Sequence, residues 1–574
     1  MILGYANRYC MPNRNVVKVT EGILEGEIVN NKYGAPFHSF KGIPFAAAPI
    51  GDLRFQAPEP ALTWDGVRDA KVEGSVCFHY DLLKVRHPPH QGSEDCLFPN
   101  VYSPNVTTEV PYPVMVWIHG GGFISGSSDE YKPEFILRKD VILVTINYRL
   151  GVLGFLSLEA EDIPGNAGMK DQVAALRWVK NNIKNFGGDP DNITIFGESA
   201  GGVSLSYHLI SPMTKGLFKK ALIQSGTSNM WWPNTFRPRD RAILLAKGLG
   251  CDYVDDKEII DCLRSLPVER FVNIRPNVYF AEVIKEGPAV YFGIVSEKSF
   301  GDKEVYFKGN VYEILRNGIH EGVQVINGYT QDEGTLFFST GSNLSMIFEQ
   351  ANKFFEFFVP KPLALNLPVT QQLNIGERIK HYLVQNKIIT NTTINSVEGL
   401  GKYTNFELIV YGSLAWEKAI AKTNRNIIYL YKFTCVSELN KAIEASPVKN
   451  LFGYRPVVVH ADDLGYLFPF VDVHANSETF KLIDQLLLQF SADIDPTPNE
   501  KLGIQWSPYT LKNQNYLEIG NKLITGHAPD NDDMGYWESL FREYYPNIAP
   551  IALFAFVIDR IARIEDKTKS PQVE

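Results

Sequence analysis

The stretch Ile193-Thr-Ile-Phe-Gly-Glu-Ser-Ala-Gly-Gly202 puts one serine, Ser199, in a setting that can make it a nucleophile. An apolar, β-branched run leads straight into Gly197-Glu198-Ser199-Ala200-Gly201, and a helical pattern follows. G-x-S-x-G in a strand–turn–helix context describes a turn so tight that side chains two before and two after the serine would collide, which is why both positions are glycine. The chemistry this serves is acyl transfer: a hydroxyl attacks a carbonyl carbon, and negative charge develops on the carbonyl oxygen. A site for that charge has its own signature. Val114-Met-Val-Trp-Ile118 is followed by His119-Gly-Gly-Gly-Phe123, and consecutive glycines leave backbone N–H groups unshielded. Gly121 and Gly122, with the N–H of Ala200, supply three candidate donors; losing one such donor typically costs ~3 kcal/mol of transition-state stabilisation.

A serine hydroxyl is a weak nucleophile at its free pKa and needs a base, oriented in turn by an acid. In an elbow of this kind the partners follow in the order Ser, Asp or Glu, His. The histidines beyond Ser199 are His208, His320, His381, His460, His474 and His527. His208 falls on the helix after the serine and His320 precedes a strand, so neither is well placed. His460 ends the apolar run Val457-Val-Val459 and opens a loop containing Asp462-Asp463, which puts it first by position. For the acid, Ile326-Asn-Gly-Tyr-Thr-Gln-Asp-Glu-Gly334 follows a strand and offers both Asp332 and Glu333; spacing leaves the two open.

These groups need a scaffold. Short strands are expected at 16–19, 26–29 and 38–42, alternating with turn residues as an antiparallel meander at one edge. Buried strands follow at 114–118, 141–146, 193–196, 221–225, 323–326 and 427–431. Residues 168–185 carry apolar positions Val173, Leu176, Trp178, Val179 and Ile183 at helical spacing. Continuous apolar runs alternating with helices indicate an α/β fold with a mostly parallel sheet covered on both faces, with function in the loops beyond the strand C-termini. His119, Ser199 and the Glu333 turn all follow such runs. No linker, repeat or charge block divides the 574 residues, so one large domain spanning 1–574 is expected rather than several.

The net charge of −9, with Lys and Arg scattered, argues against nucleic acid or an anionic membrane as partner. No run approaches the roughly 18 apolar residues of a spanning helix. Ile551-Ala-Leu-Phe-Ala-Phe-Val-Ile558 is too short, and reads as a buried C-terminal helix. Cys77 with Cys96 and Cys251 with Cys262 flank short segments and look like loop-closing pairs, with Cys10 and Cys435 left over. Four sequons, at Asn105, Asn192, Asn343 and Asn391, join them in pointing to an oxidising compartment. The N-terminal residues, by contrast, lack the apolar core of a secretory signal. No H-E-x-x-H or C-x-x-C motif occurs, and His87-Pro-Pro-His90 reads as a loop feature, so neither metal nor cofactor is expected.

Taken together, His119-Gly-Gly-Gly-Phe123, Glu94-Asp-Cys-Leu97, Gly168-Met-Lys-Asp-Gln172, Asn185-Phe-Gly-Gly-Asp-Pro190, Phe196-Gly-Glu-Ser-Ala-Gly-Gly202, Gln224-Ser-Gly226 and Trp506-Ser-Pro-Tyr509 resemble the type-B carboxylesterase/cholinesterase family. The matches run in family order from Gly42 to Tyr509, and the wording is most like the arthropod carboxylesterases. The resemblance implies an α/β-hydrolase fold with a serine triad at the base of a deep gorge. It makes Ser199 the nucleophile, picks Glu333 over Asp332 as the acid, and matches His460 to the base. It also implies disulfides Cys77–Cys96 and Cys251–Cys262. Glu198, Ser225 and Trp232 match positions behind the triad and in the acyl pocket, and Phe123 and Phe337 would line the gorge. The implied substrates are small carboxylic esters, with organophosphates and carbamates as acylating inhibitors.

Three departures bear on the substrate. Ala461 stands where the family usually has glycine, Pro99 where a β residue is usual, and 291–297 is an irregular version of the segment shaping the acyl side. A choline esterase needs an aromatic platform for a quaternary ammonium, which in the family is a Trp inside the first disulfide loop. The loop from Cys77 to Cys96 has Phe78, His79 and Tyr80 but no Trp. Non-catalytic relatives generally lack the nucleophile, and juvenile-hormone esterases typically carry Gln where Glu198 stands.

Overall fold

Strand alternation along Tyr112–Ile118 sends Val114, Val116 and Ile118 to one apolar cluster and Met115 and Trp117 to another on the opposite face. A strand buried on both faces belongs in the middle of a covered sheet. The computed structural model describes residues 15–80, 90–271, 291–335, 344–385, 387–390, 394–440, 456–473 and 504–544. The strands among them, in chain order, are β1 (Val16–Lys18), β2 (Ile23–Glu25), β3 (Glu27–Val29), β4 (Phe37–Phe40), β5 (Val67–Asp69), β6 (His79–Tyr80), β7 (His90–Gln91) and β8 (Pro99–Ser103). Then come β9 (Tyr112–Ile118), β10 (Ile142–Ile146), β11 (Gly188–Glu198), β12 (Lys220–Gln224), β13 (Gln324–Thr330), β14 (Ile428–Phe433), β15 (Asn515–Ile519) and β16 (Leu523–His527).

Eleven of these form one sheet in the order β16-β15-β14-β13-β12-β11-β9-β10-β8-β4-β3. From β15 to β10 every neighbouring pair is parallel. Antiparallel pairs cap both ends, β15 with β16 on one side and β10, β8, β4 and β3 on the other. The architecture is the α/β-hydrolase fold. The N-terminal edge departs from a simple meander: β1, β2 and β5 leave the main sheet and form a sheet of their own. Between them Gly26, where a Cβ would lie 2.4 Å from the Ser39 carbonyl oxygen, lets the chain pass from one sheet to the other.

Pro99, whose place where a β residue is usual suggests an altered edge from sequence alone, does not lie on an edge strand. It opens β8, which is paired on both sides, by β4 and β10. The first position of a strand is where a missing N–H costs least. Strands β15 and β16 had no clear sequence signal, because β16 is largely exposed and its polar residues hide the alternation. The segment 551–558 lies outside the described residues, and among the described residues no helix is long and apolar enough to cross a membrane.

Candidate active site

Parallel strands deliver their C-terminal ends to one edge of the sheet, and the chemistry-bearing residues gather there. Ser199 follows β11 directly and caps the helix Ala200–His208 with φ 58° and ψ −121°, a strained conformation for a residue with a Cβ. It is tied down on both sides: its N–H donates to the Gln224 carbonyl (2.9 Å), and its own carbonyl accepts from Val203. The flanking glycines are demanded by packing as well as by the turn. A Cβ on Gly201 would lie 2.0 Å from the Ile118 carbonyl oxygen, and one on Gly197 2.6 Å from the same atom. Among the described residues the Ser199 hydroxyl has no hydrogen-bond partner.

The glycine loop after β9 packs onto this elbow. A Cβ on Gly120 would come within 3.1 Å of the Ser199 Cβ. Gly121, Gly122 and Phe123 all take positive φ, at 99°, 63° and 61°. The Gly121 carbonyl turns away to accept from Ile124 and Ser125, both at 3.1 Å. Among the described residues the N–H groups of Gly121, Gly122 and Ala200 have no acceptor. Beneath the loop, His119 is buried and stacks on Tyr148 with ring centres 4.5 Å apart. Burial lowers its pKa to about 4, so it is neutral, and its Nδ1–H donates to the Gly120 carbonyl at 2.9 Å.

The turn after β13 separates the two acid candidates. Glu333 Oε2 faces His460 Nδ1 at 2.5 Å, while Oε1 accepts from Ser225 Oγ (2.5 Å) and from the Thr330 N–H (2.7 Å). Both oxygens are thus committed, and the residue is 1% exposed. Asp332 points elsewhere. Its Oδ2 accepts from the Val458 N–H at 3.0 Å, and its own N–H donates to the Val458 carbonyl at 2.8 Å. It grips the backbone two residues before His460 instead of touching the imidazole.

His460 turns into the site because Ala461 adopts φ 69°, a left-handed conformation that reverses the chain. Asp462 secures this reversal by accepting from the Val459 N–H at 2.8 Å. On its other side, His460 Nε2 lies 2.8 Å from Glu198 Oε1, a close ionic contact. It is poorly aligned for a hydrogen bond, and Oε1 has no well-aligned donor among the described residues. Among the described residues no hydrogen bond joins Nε2 to Ser199, and the acidic neighbour of Nε2 is Glu198. Burial alone would lower the imidazole pKa, but the carboxylates of Glu198 and Glu333 more than reverse this and hold it well above its ordinary value.

The aromatic candidates divide. Phe123 is buried against Phe155, and its ring centre lies 6.5 Å from that of Trp232, which stays partly exposed. Phe337, Asn343, Asn391 and His474 lie outside the described residues, as do Cys10 and His87. Disulfides join Cys77 to Cys96 and Cys251 to Cys262, and Cys435 is a buried free thiol. His208 is buried between Gln172 and Tyr306, with its pKa lowered to about 3 by burial, and takes no part in the site. The irregular segment 291–297 ends in Glu297, buried and paired with Lys170 at 2.8 Å.

Sequence reasoning missed several residues near the site. Asp463 is buried behind it and accepts from Gln224 Nε2 (2.8 Å) and Tyr431 OH (3.0 Å). Burial, reinforced by Glu198 and Glu333, pushes its pKa up to about 7. Asn405 reaches the Glu333 turn, and Trp231 sits beside Trp232. Only the acidic pair Asp462-Asp463 beside His460 carried a sequence signal for any of these.

The profile of the carboxylesterase family matches residues 13–537. The chain is 31% identical over 560 residues to a carboxylic ester hydrolase of Bombus ignitus, covering 94% of this chain and 97% of that one. It is 32% identical to a juvenile hormone esterase of Tribolium castaneum, covering 91% and 90% of the two chains. With esterase FE4 of Myzus persicae the identity is 34%, over 83% of each. The crystal structure of juvenile hormone esterase from Manduca sexta, with OTFP covalently attached, superposes with a TM-score of 0.79 at 26% identity, covering 92% of this chain and 99% of that one. With its elbow serine, glycine loop and buried carboxylate–imidazole pair on this sheet, the chain belongs to the carboxylesterase family and is a carboxylic ester hydrolase.

Proposed function

We propose that this enzyme hydrolyses a broad range of carboxylic esters through an acyl-enzyme on Ser199, in the turnover or sequestration of xenobiotic or lipid-like esters. The observation that carries the reading is the Glu333 Oε2–His460 Nδ1 contact at 2.5 Å. With both Glu333 oxygens held in place, Nδ1 carries a proton, and in the neutral imidazole Nε2 has its lone pair free for the serine.

In the first step, Nε2 takes the Ser199 proton as Oγ bonds to the ester carbonyl carbon. The carbonyl oxygen becomes an oxyanion on the N–H groups of Gly121, Gly122 and Ala200. The C–O bond to the alcohol then breaks, and the Nε2 proton leaves with the alkoxide. A water repeats the sequence and frees the acid. For this, Nε2 must engage the Ser199 hydroxyl in place of Glu198 Oε1, its neighbour at 2.8 Å. Phe123 and Trp232 wall the acyl side.

Titration of the wild-type enzyme with an organophosphate, followed by hydrolysis rates on esters of graded chain length, tests the reading. One equivalent of phosphorylated Ser199 with loss of hydrolysis is expected. Phosphorylation with negligible ester turnover before inhibition would indicate sequestration, and absence of both would defeat the proposal. The similarity to juvenile hormone esterases supports a second reading, a lipid-like hormone ester as substrate, which the same panel separates by including a long-chain methyl ester.

A further inference from the structure

The helix Ile394–Asn405 does not continue regularly into the helix Tyr411–Thr423. Between them Phe406–Val410 is a π-helical turn, in which the Tyr411 N–H donates to the carbonyl of Phe406, five residues back. Such a turn carries one extra residue, loosens the regular ladder, is rare, and is frequently found at functional sites. Inside a regular α-helix each carbonyl is occupied by the N–H four residues on. Here two consecutive carbonyls bind side chains: Glu407 O accepts from Trp231 Nε1 and Leu408 O from Trp232 Nε1, both at 3.1 Å.

The two tryptophans are partly exposed, and Trp232 faces Phe123 across the mouth of the glycine loop. Their loop leaves β12 beside the elbow, where a Cβ on Gly226 would lie 2.1 Å from the Ser199 carbonyl oxygen. The same helical junction also holds the acid. Asn405, immediately before the π turn, accepts from the Gly334 N–H (2.5 Å) and donates through Nδ2 to the Gln331 carbonyl (3.2 Å). Its amide thus spans Glu333 from one side to the other. Contact is close enough that a Cβ on Gly334 would lie 2.1 Å from Thr404 Oγ1. The junction from Thr404 to Leu408, the end of one helix and the start of the π turn, therefore touches both the acid turn and the aromatic wall.

We propose that the junction Asn405–Leu408 is the element that sets acyl selectivity: its π-turn carbonyls fix how far Trp231 and Trp232 stand from Phe123, and Asn405 is a positioning residue for Glu333. This rests on the ester-hydrolase reading above. The separation of roles gives it content. Trp232→Phe keeps an aromatic ring but loses the donor to Leu408 O, so the wall shifts while the acid stays in place. Asn405→Ala frees the acid turn while leaving both indole hydrogen bonds.

The experiment measures kcat and KM for a series of 4-nitrophenyl esters, from acetate to decanoate, on wild type, Trp232→Phe, Trp231→Phe and Asn405→Ala. The folding of each variant is checked by thermal denaturation. In the tryptophan variants the ratio of kcat/KM for long over short acyl chains should change about fivefold, the value of one lost hydrogen bond, and the change should sit in KM. In Asn405→Ala, kcat should fall about tenfold at every chain length with the ratio unchanged. Trp231→Phe serves if Trp232→Phe does not fold. Wild-type selectivity in the folded tryptophan variants, or wild-type kcat in Asn405→Ala, overturns the inference. A wild-type enzyme that turns over no ester in the series would instead overturn the ester-hydrolase reading.

Discussion

Glu198 Oε1 lies 2.8 Å from His460 Nε2, on the side of the imidazole that the mechanism reserves for Ser199. His460 is therefore flanked by two buried carboxylates, Glu333 on Nδ1 and Glu198 on Nε2. In the proposed mechanism the one orients the ring and the other competes with Ser199 for it. Because these charges favour the imidazolium, the base becomes neutral only at a pH well above that of an ordinary histidine. The raised value also makes the pairing a stability contribution that is complete below the ordinary imidazole pKa and is lost as pH rises through the raised one.

Replacing Glu198 by Gln removes one of the two raising charges while keeping the shape. The acid limb of the kcat/KM–pH profile should move down by about one unit or more, and activity at mildly acid pH should rise relative to the alkaline plateau. A pH profile of Glu198→Gln that coincides with wild type, or shifts upward, would show that Glu198 does not govern the base.

The two neighbouring acids should respond very differently. Glu333→Gln breaks the carboxylate–imidazole pair and favours the wrong tautomer, so kcat should fall by roughly 10³–10⁴. Asp332→Asn keeps an oxygen for the Val458 N–H and should stay within about tenfold of wild type. Single-turnover kinetics on the two variants decides this, and the opposite order would move the acid by one residue.

Ser199→Ala should abolish ester hydrolysis, leaving only slow chemistry from the oxyanion donors, with the fold intact by circular dichroism. Ser199→Gly should be equally inactive yet more stable by about 1 kcal/mol, since glycine relieves the strain at φ 58°. Denaturant midpoints below that of Ser199→Ala would contradict the strain argument.

Ala461 pays a backbone strain for the reversal that aims His460. Ala461→Gly, at φ 69°, should stabilise the fold by about 0.5–1 kcal/mol, offset in part by the looser unfolded chain. If urea unfolding shows a loss instead, packing of the Ala461 methyl group outweighs the dihedral cost.

What the sequence determined by itself was local. The elbow, the glycine loop, the buried strand runs and the two short cysteine-flanked segments are written in contiguous residues, whose spacing follows from steric limits on a few bonds. The open choice between Asp332 and Glu333 needed more than adjacency. Both leave the same turn, and only the packing of β13 against the 457–460 segment points one at the Val458 backbone and the other at the imidazole. The approach of Glu198 to His460, separated by 262 residues in the chain, has no periodic signal, because side chains of opposite preference meet there only when two loops close over the same edge of the sheet. Nor does the bracket at Asn405 and the π turn, since a helix that carries one extra residue looks like any other helix in sequence, and the tryptophans that donate to its carbonyls come from a distant loop.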